Sequence, residues 1–408
     1  AFGNLKQAFF MPLEKSYVEI DYWLPEGSSV NKVEEDLAKA EKELFKNYPE
    51  IINIVSSISQ TPPRYILVAH NESYNTSFGQ LMIETNSSEE ADAMKPSLRK
   101  FFADNYSQAR CRVKDYIAGP PIKYKVEARF IGPDPAVLRD LAEQTKIIMQ
   151  NEPLCGDICD DWRNKVLTWV PQYSQVKASR VGISRSDFGN AIQQLTSTGL
   201  GIGVYRENEE QMPVMLKVNQ NAQNSISSIE NTGVWSQQGA YSVPLKDVVD
   251  NVEFKWENSV IKRFNRQRAI TIKCDPEDPS VTGATLLSYM KKDIEAISLP
   301  EGYSFMWDGE LKPSMESQEG TNKFMPVSLL LMVFIIIMLF NSVRQSLVVI
   351  AIIPLSILGV GIGLFVTDNA FGFMAIVGFL GLIGMVLKNA IVLMDHSNIN
   401  LNTEGMQA

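Results

Sequence analysis

A single lysine interrupts the last long apolar stretch of the chain. Lys388, followed by Asn389, stands in the segment GFLGLIGMVLKNAIVLMD (378–395). An ammonium at the centre of a bilayer costs about 2.5–3.5 kcal/mol on insertion scales, so it normally has a counter-charge or a function. Proton binding by a carboxylate beside such a lysine would remove their attraction and allow two helices to shift. The alternative is that the side chain reaches the membrane surface near Asp395.

The counter-charge of Lys388 is predicted to lie on a helix outside this stretch. Between 324 and 387 the only charged residues are Arg344 and Asp368. Asp368 is 20 residues from Lys388, at the opposite end of the same predicted helix. A carboxylate that pairs with Lys388 must therefore come from a part of the protein beyond these helices.

Three membrane-spanning helices are predicted around these charges, because a helix needs about 20 apolar residues to cross the hydrocarbon core. The predicted spans, of which the third continues past Lys388, are 324–343, 345–367 and 369–394. The turn that holds Arg344 is predicted to be cytoplasmic by the positive-inside tendency. Residues 1–323 would then lie mainly outside the cytoplasm, and residues 395–408 would form a cytoplasmic tail.

The region before these helices predicts an α+β fold. Strand-like and helix-like periodicities follow the order βαββαβ, which is the ferredoxin-like arrangement. The first set of elements is predicted at 17–24, 31–47, 51–57, 78–85, 88–103 and 108–113. A second set is predicted at 125–131 and 135–150 and, much later, at 268–274, 279–297 and 302–308. The long interval in the second set predicts an inserted domain.

These patterns set the predicted domain boundaries. The first ferredoxin-like subdomain covers 1–121, and the second is split between 122–167 and 261–310. The insertion covers 168–260. Its own elements are predicted as a helix at 181–194 and strands near 213–218 and 252–256.

Composition and motifs exclude several functions. The chain has 38 Lys and Arg against 47 Asp and Glu, a net charge of −9, which argues against a nucleic-acid binder. It holds two His and no HExxH, P-loop or Ser/His/Asp pattern, so an enzyme, a metal site and a bound cofactor are not predicted. Cys155 and Cys159 form either a local disulfide or two free thiols, and Cys111 and Cys274 are predicted to be small core residues.

Several segments resemble one known family. They are IAIIPLSILGVGIGLFVTD (350–368), GFLGLIGMVLKNAIVLMD (378–395) and YWLPEGSSVNKVEEDL (22–37). The sequence is similar to the resistance-nodulation-division (RND) exporters, and within them to the acriflavine-resistance type of multidrug pump. The resemblance is collinear and covers essentially the whole chain.

The resemblance implies a truncated second half of a longer pump, beginning after its seventh membrane helix and ending after its tenth. The ferredoxin-like units would be porter subdomains and the insertion a docking domain. The family implies a homotrimer in the bacterial inner membrane, a periplasmic adaptor protein and an outer-membrane channel protein. It also implies proton-driven export of amphiphilic small molecules, with Lys388 and Asn389 in the proton relay.

A substrate site is expected near the long segment between the second and third strands (57–77). In the family this segment lies at the drug pocket, but here it lacks glycine between Ser57 and Ser77 and contains Pro62 and Pro63. The candidate substrate-binding residues are Val55, Ser57, Tyr65, Tyr74, Phe78 and Gln80. An ordinary surface hairpin is the alternative interpretation.

Two other functions stay open. A heavy-metal RND exporter is one, because the 16 Met could supply soft ligands, although the Lys388-Asn389 pair is the multidrug pattern. The other is an export-accessory or sterol-sensing-like membrane protein without drug transport.

Overall fold

The computed structural model describes residues 15–63, 71–114, 122–196, 199–217, 229–236, 239–278, 281–367 and 373–404. The chain divides into two compact units. One consists of residues 1–164 and 258–408, and the other of Lys165–Glu257. The predicted insertion and the second unit differ by three residues at each end.

The first ferredoxin-like subdomain consists of one sheet and two helices. Its elements are β1 (Tyr17–Trp23), α1 (Val30–Asn47), β2 (Ile51–Ile58), β3 (Phe78–Thr85), α2 (Ser88–Asn105) and β4 (Arg110–Lys114). The strands are antiparallel neighbours in the order β2-β3-β1-β4. Helix α1 begins where the Ser29 side chain accepts a hydrogen bond from the Asn31 amide. Its apolar face, with Leu37 and Leu44 fully buried, packs on one side of the sheet.

The second ferredoxin-like subdomain repeats this topology with an interruption. Its elements are β5 (Val126–Ile131), α3 (Pro135–Gln150), β6 (Cys155–Asp160), β13 (Arg263–Phe264), β14 (Gln267–Pro276), α6 (Gly283–Glu295) and β15 (Ser304–Gly309). The sheet order is β6-β14-β5-β15, and β13 forms a hairpin with β14. Trp162 is fully buried in its core. The predicted α+β fold class with duplicated ferredoxin-like units is confirmed.

The unit Lys165–Glu257 interrupts the second subdomain after β6. Its helices are α4 (Gln175–Arg180) and α5 (Arg185–Gln194). Its strands are β7 (Lys165–Tyr173), β8 (Leu200–Glu207), β9 (Glu210–Leu216), β10 (Gly233–Ser236), β11 (Tyr241–Pro244) and β12 (Val249–Asn258). The helix predicted from 181 begins only at Arg185, because Ser184 and Asp187 form a reciprocal capping box.

The C-terminal helices are α7 (Leu311–Phe340), α8 (Val343–Ile350), α9 (Ile353–Val366) and α10 (Phe373–Glu404). Two stretches in the described chain are long and apolar enough to cross a membrane, Val343–Val366 and Met374–Ser397. A shorter apolar helix covers Pro326–Phe340, so the first predicted span stays a prediction. Asn341 ends α7 with a left-handed φ of 47°. Pro354, which has no amide hydrogen to donate, lies in the first turn of α9 after the break at Ala351 and Ile352.

The cysteines are free thiols in the structure. Cys155 packs against the core beside the helices, whereas Cys159 lines a cavity on the other side of the sheet. The left-handed φ of 47° at Asp157 interrupts the strand between them and changes which face follows. The two side chains therefore do not meet, and the disulfide alternative is wrong in this arrangement. Cys274 is fully buried and Cys111 packs against the core, as predicted.

Candidate functional site

The face of the first sheet that points away from its helices carries charged side chains. Along β1, Glu19 and Asp21 lie on this face, and Lys114 of β4 stands opposite Glu19. The Lys114 Nζ is 2.8 Å from Asp21 Oδ2 and also contacts Glu19. Gln80 Nε2 donates to both carboxylates. Burial opposes the charged form of Asp21, but Lys114, Arg112 and Gln80 together hold the pKa of its carboxyl below its usual range.

The second sheet has a charged face of the same kind. Lys273 of β14 stands opposite Glu127 of β5, and Thr271 stands opposite Arg129. Arg129 Nη2 is 2.5 Å from Asp308 Oδ2, and its Nε donates to Thr271 Oγ1. Burial raises the pKa of Glu127, and Asp308 adds to that rise. Each sheet thus uses one face for its hydrophobic core and the other for charge.

The two subdomains line a polar cavity of about 150 Å³ that is partly open to solvent. Its lining residues are Asp21, Trp23, Glu26, Glu72, Ser73, Asn75, Arg110, Arg112, Lys123, Tyr124, Cys159, Asp160, Asp161, Arg163, Val260, Lys262 and Lys273. Acidic, basic, aromatic and thiol groups therefore converge here from both subdomains.

Ion pairs join the subdomains across this cavity. Arg112 donates from Nε and Nη2 to Asp275 Oδ2, at 2.9 and 2.5 Å. Arg110 Nη1 lies 3.0 Å from Asp157 Oδ1. The Arg112 guanidinium also lies 3.8 Å from the centroid of the Tyr124 ring. Burial raises the pKa of Asp157, and Arg110 and Arg112 oppose that rise.

Two lysines on the cavity wall stand apart from these pairs. Within the residues that the structure describes, neither Lys262 nor Lys273 has a carboxylate oxygen within 4 Å. Lys273 Nζ lies 5.7 Å from the centroid of the Tyr124 ring. Lys273 nevertheless opposes the rise in the pKa of Glu127 and of Asp161, so both carboxyls lie within its electrostatic reach.

Four of the candidate substrate residues lie on one face of the first sheet. Val55, Ser57, Phe78 and Gln80 share the charged face of the first sheet, by the register of β2 with β3. Phe78 is fully buried against Trp23, a cavity residue, and Gln80 is held by Asp21.

The two tyrosines of the long segment differ from these four. Tyr74 is 68% exposed, between the cavity residues Ser73 and Asn75. Tyr65 lies outside the described residues. The five described side chains are not among the residues that line the cavity. The binding role of all six candidates stays a prediction.

Lys388 and Asn389 lie in the middle of α10 and are both exposed. The neighbouring residues Ile383 and Leu387 face α7 and α8 in a small apolar cluster. Among the described residues Lys388 has no ion pair. The lysine therefore points away from the contacts that these helices make with one another.

The cavity charges were not among the candidates from the sequence. Alternation of charge along β1 and β4 is a usable signal, since Glu19 and Asp21, like Arg110 and Arg112, are two residues apart. No local pattern signals Asp157, because its position depends on an irregular backbone.

Duplicated ferredoxin-like subdomains are followed in this chain by apolar helices of membrane length. The chain matches the AcrB/AcrD/AcrF family over residues 2–408, so it belongs to this family of RND efflux transporters.

Several proteins that are similar to this chain are named for metal resistance or for the export of metal cations. The cobalt-zinc-cadmium resistance protein CzcA of Cupriavidus metallidurans is 22% identical over 327 residues, 77% of this chain and 30% of that protein. The cation efflux system protein CzcA of an Alcaligenes species matches with the same identity and coverage. A crystal structure of a heavy metal efflux pump matches with a TM-score of 0.75 and 18% identity. That match covers 95% of this chain and 40% of the pump, so the chain spans less than half the length of these relatives.

Proposed function

We propose that this chain forms part of a proton-coupled exporter in which Lys388 is the positive partner of proton-binding carboxylates. The observation that carries the proposal is the position of Lys388 and Asn389 inside the apolar span Met374–Ser397, without a counter-charge among the described residues. A lysine at this depth is stabilised by a carboxylate on a neighbouring helix. Protonation of that carboxylate weakens the pair, which links proton entry to helix movement.

The proposed assembly follows from family membership. Residues 1–323 lie mainly in the periplasm of a bacterium, and the C-terminal helices lie in its inner membrane. The two ferredoxin-like subdomains act as porter subdomains and the unit Lys165–Glu257 as a docking domain. The exporter works as a homotrimer with an adaptor protein and an outer-membrane channel.

The proposed cargo is an amphiphilic organic molecule with an acidic group. The cavity supports this class because its wall combines the rings of Trp23 and Tyr124 with basic side chains, of which Lys273 lies 5.7 Å from the centroid of the Tyr124 ring. A guest with an apolar body and a negative end would bury its body against the rings and its charge near the lysines.

Heavy-metal cations are the second candidate cargo. The names of the metal-resistance relatives and of the similar pump structure support this candidate more directly than they support amphiphile export. The cavity contains Cys159 and several carboxylates, which are donor types that bind such cations, but the described residues form no cluster of three donors able to hold one.

The two cargoes can be separated in efflux-deficient cells that express the full-length protein. We expect the cells to expel an acidic fluorescent dye and a protonophore to stop this export, while zinc, cobalt and cadmium tolerance stays that of empty cells. Metal tolerance without dye export would instead favour the second candidate.

Reversing the cavity charge tests the site itself. Lys273→Glu is expected to lower kcat/KM for the acidic dye about tenfold, since a charged hydrogen bond contributes about 1.5–3 kcal/mol. Lys39→Glu, an exposed lysine on α1, is the matched control and is expected to export normally. Equal export by both variants would remove the cavity from the proposal.

A further inference from the structure

Glu26 is the centre of a second group of contacts across the cavity. Its backbone amide donates to Asn164 Oδ1 at 2.8 Å, and its carboxylate contacts the Arg163 guanidinium. Glu26 Oε2 accepts from Ser259 Oγ, and Oε1 accepts from Asn75 Nδ2. Three of these partners belong to the other subdomain, so one residue of the first subdomain binds the second at three points.

Arg163 makes the matching contacts in the opposite direction. Its Nη1 donates to Ser77 Oγ at 2.9 Å, and its Nη2 donates to the carbonyl of Leu24. Its guanidinium carbon lies 4.4 Å from the centroid of the Trp23 ring. The Glu26 and Arg163 side chains are 7% and 16% exposed, so solvent screens the pair little.

The backbone of Arg163 is held in a strained conformation that aims the side chain at this partner. Its φ of 58° lies in the left-handed region, which is uncommon for a residue with a side chain and costs about 1–3 kcal/mol. Asp160 fixes the turn, because its Oδ1 accepts from the amides of Trp162 and Arg163 at 2.9 and 2.6 Å. The Asp160 side chain thus maintains a strained backbone at Arg163, which indicates that the contact of Arg163 with Glu26 has a function.

The other ion pairs lie beside the covalent connection between the subdomains. Arg112 Nη2 donates to the carbonyl of Lys123, and Asp275 Oδ1 accepts from the amide of Lys125. Residues 123–125 immediately precede β5, so these contacts anchor the start of the second subdomain. Rotation about this side would widen the cavity at the opposite side, where Glu26 and Arg163 meet.

We propose that the Glu26–Arg163 pair is a latch that keeps the cavity between the two ferredoxin-like subdomains narrow. When the pair separates, both charges gain water and the cavity opens to solutes. This role does not depend on the cargo or on Lys388, so it stands or falls separately from the proposed function.

Cys159 supplies a native reporter for the opening. It lines the cavity, half-buried, and its thiol donates to Tyr124 Oη at 3.4 Å. Burial raises the pKa of this thiol, which slows its reaction with maleimides. Cys274 is fully buried in the core of the same subdomain and reports on unfolding instead.

The experiment measures the rate of N-ethylmaleimide labelling at each cysteine by peptide mass spectrometry, using the full-length protein in membranes. Glu26→Gln leaves Arg163 unpaired in the closed state, so labelling of Cys159 is expected to be about tenfold faster, with Cys274 unchanged. The matched control is Lys32→Gln, which breaks the Lys32–Asp36 pair within α1, and wild-type labelling is expected there.

The double variant Glu26→Gln/Arg163→Met tests the pairing. It removes both charges, so its labelling rate is expected to lie closer to wild type than that of Glu26→Gln. The latch is refuted if Glu26→Gln labels Cys159 within about twofold of wild type, below the tenfold expected from an unpaired buried charge. A parallel rise at Cys274 also refutes it, because the pair would then support the fold rather than closure.

Discussion

Cells that carry Lys388→Ala in the full-length protein are expected to accumulate dye like cells without the transporter. The variant removes the lone cation in the apolar span Met374–Ser397, so the proposed carboxylate partner loses the charge that keeps it ionised. Binding of a proton to that carboxylate then no longer breaks an ion pair with Lys388, and its release no longer re-forms one. The measurement is the initial rate of dye export, with and without a protonophore, normalised to the amount of protein in the membrane.

Membrane abundance decides whether this result concerns mechanism or folding. Lys388 is exposed and lies outside the apolar cluster formed by Ile336, Val349, Ile383 and Leu387, so its removal should leave helix packing intact. Lys39→Ala, whose side chain is 70% exposed on α1, is the control and should export normally. Wild-type export by an abundant Lys388→Ala protein would show that the lysine only reaches towards the membrane surface, and the proposed coupling would be abandoned.

The parts of the fold that were predictable depend on contacts close in sequence. Helix α1 has its cap at Ser29 and its apolar face at regular spacing, so its start and its buried side follow from local residues. The same holds for the alternation along β1 and β3. Lys388 was identifiable because a charge within an apolar helix is conspicuous by itself.

The cavity was less predictable because its contacts join distant parts of the chain. Arg112 and Asp275 are 163 residues apart, and no local pattern links them. Asp157 and Arg163 both adopt left-handed φ angles, which sequence periodicity does not indicate for residues with side chains. The same irregularity separates Cys155 from Cys159, whose spacing alone had allowed a disulfide.

Arg112→Met is expected to lower the free energy of unfolding of the ferredoxin-like region by about 3–5 kcal/mol, because it leaves the partly buried Asp275 carboxylate without its ion-pair partner and Asp157 with Arg110 alone. Arg112 is 13% exposed in its side chain and contacts both Asp157 and Asp275. Burial already raises the pKa of Asp157, so loss of a guanidinium beside it makes the ionised form less favourable still. The measurement is urea-induced unfolding of the full-length protein in detergent, followed by tryptophan fluorescence.

A second substitution at Asp275 separates an unpaired charge from lost packing. If the unpaired carboxylate is the cause, Arg112→Met/Asp275→Asn should recover a large part of the lost stability, because the double variant buries one fewer uncompensated charge. The free energy of unfolding of Arg112→Lys should stay below that of wild type. A lysine keeps the charge, but it cannot donate from two nitrogens to Asp275 while stacking on Tyr124. Equal destabilisation by Arg112→Met and by the double variant would assign the effect to the stacked guanidinium on Tyr124 instead. In that event Tyr124→Leu should destabilise the protein by a similar amount, which the ion-pair explanation does not require.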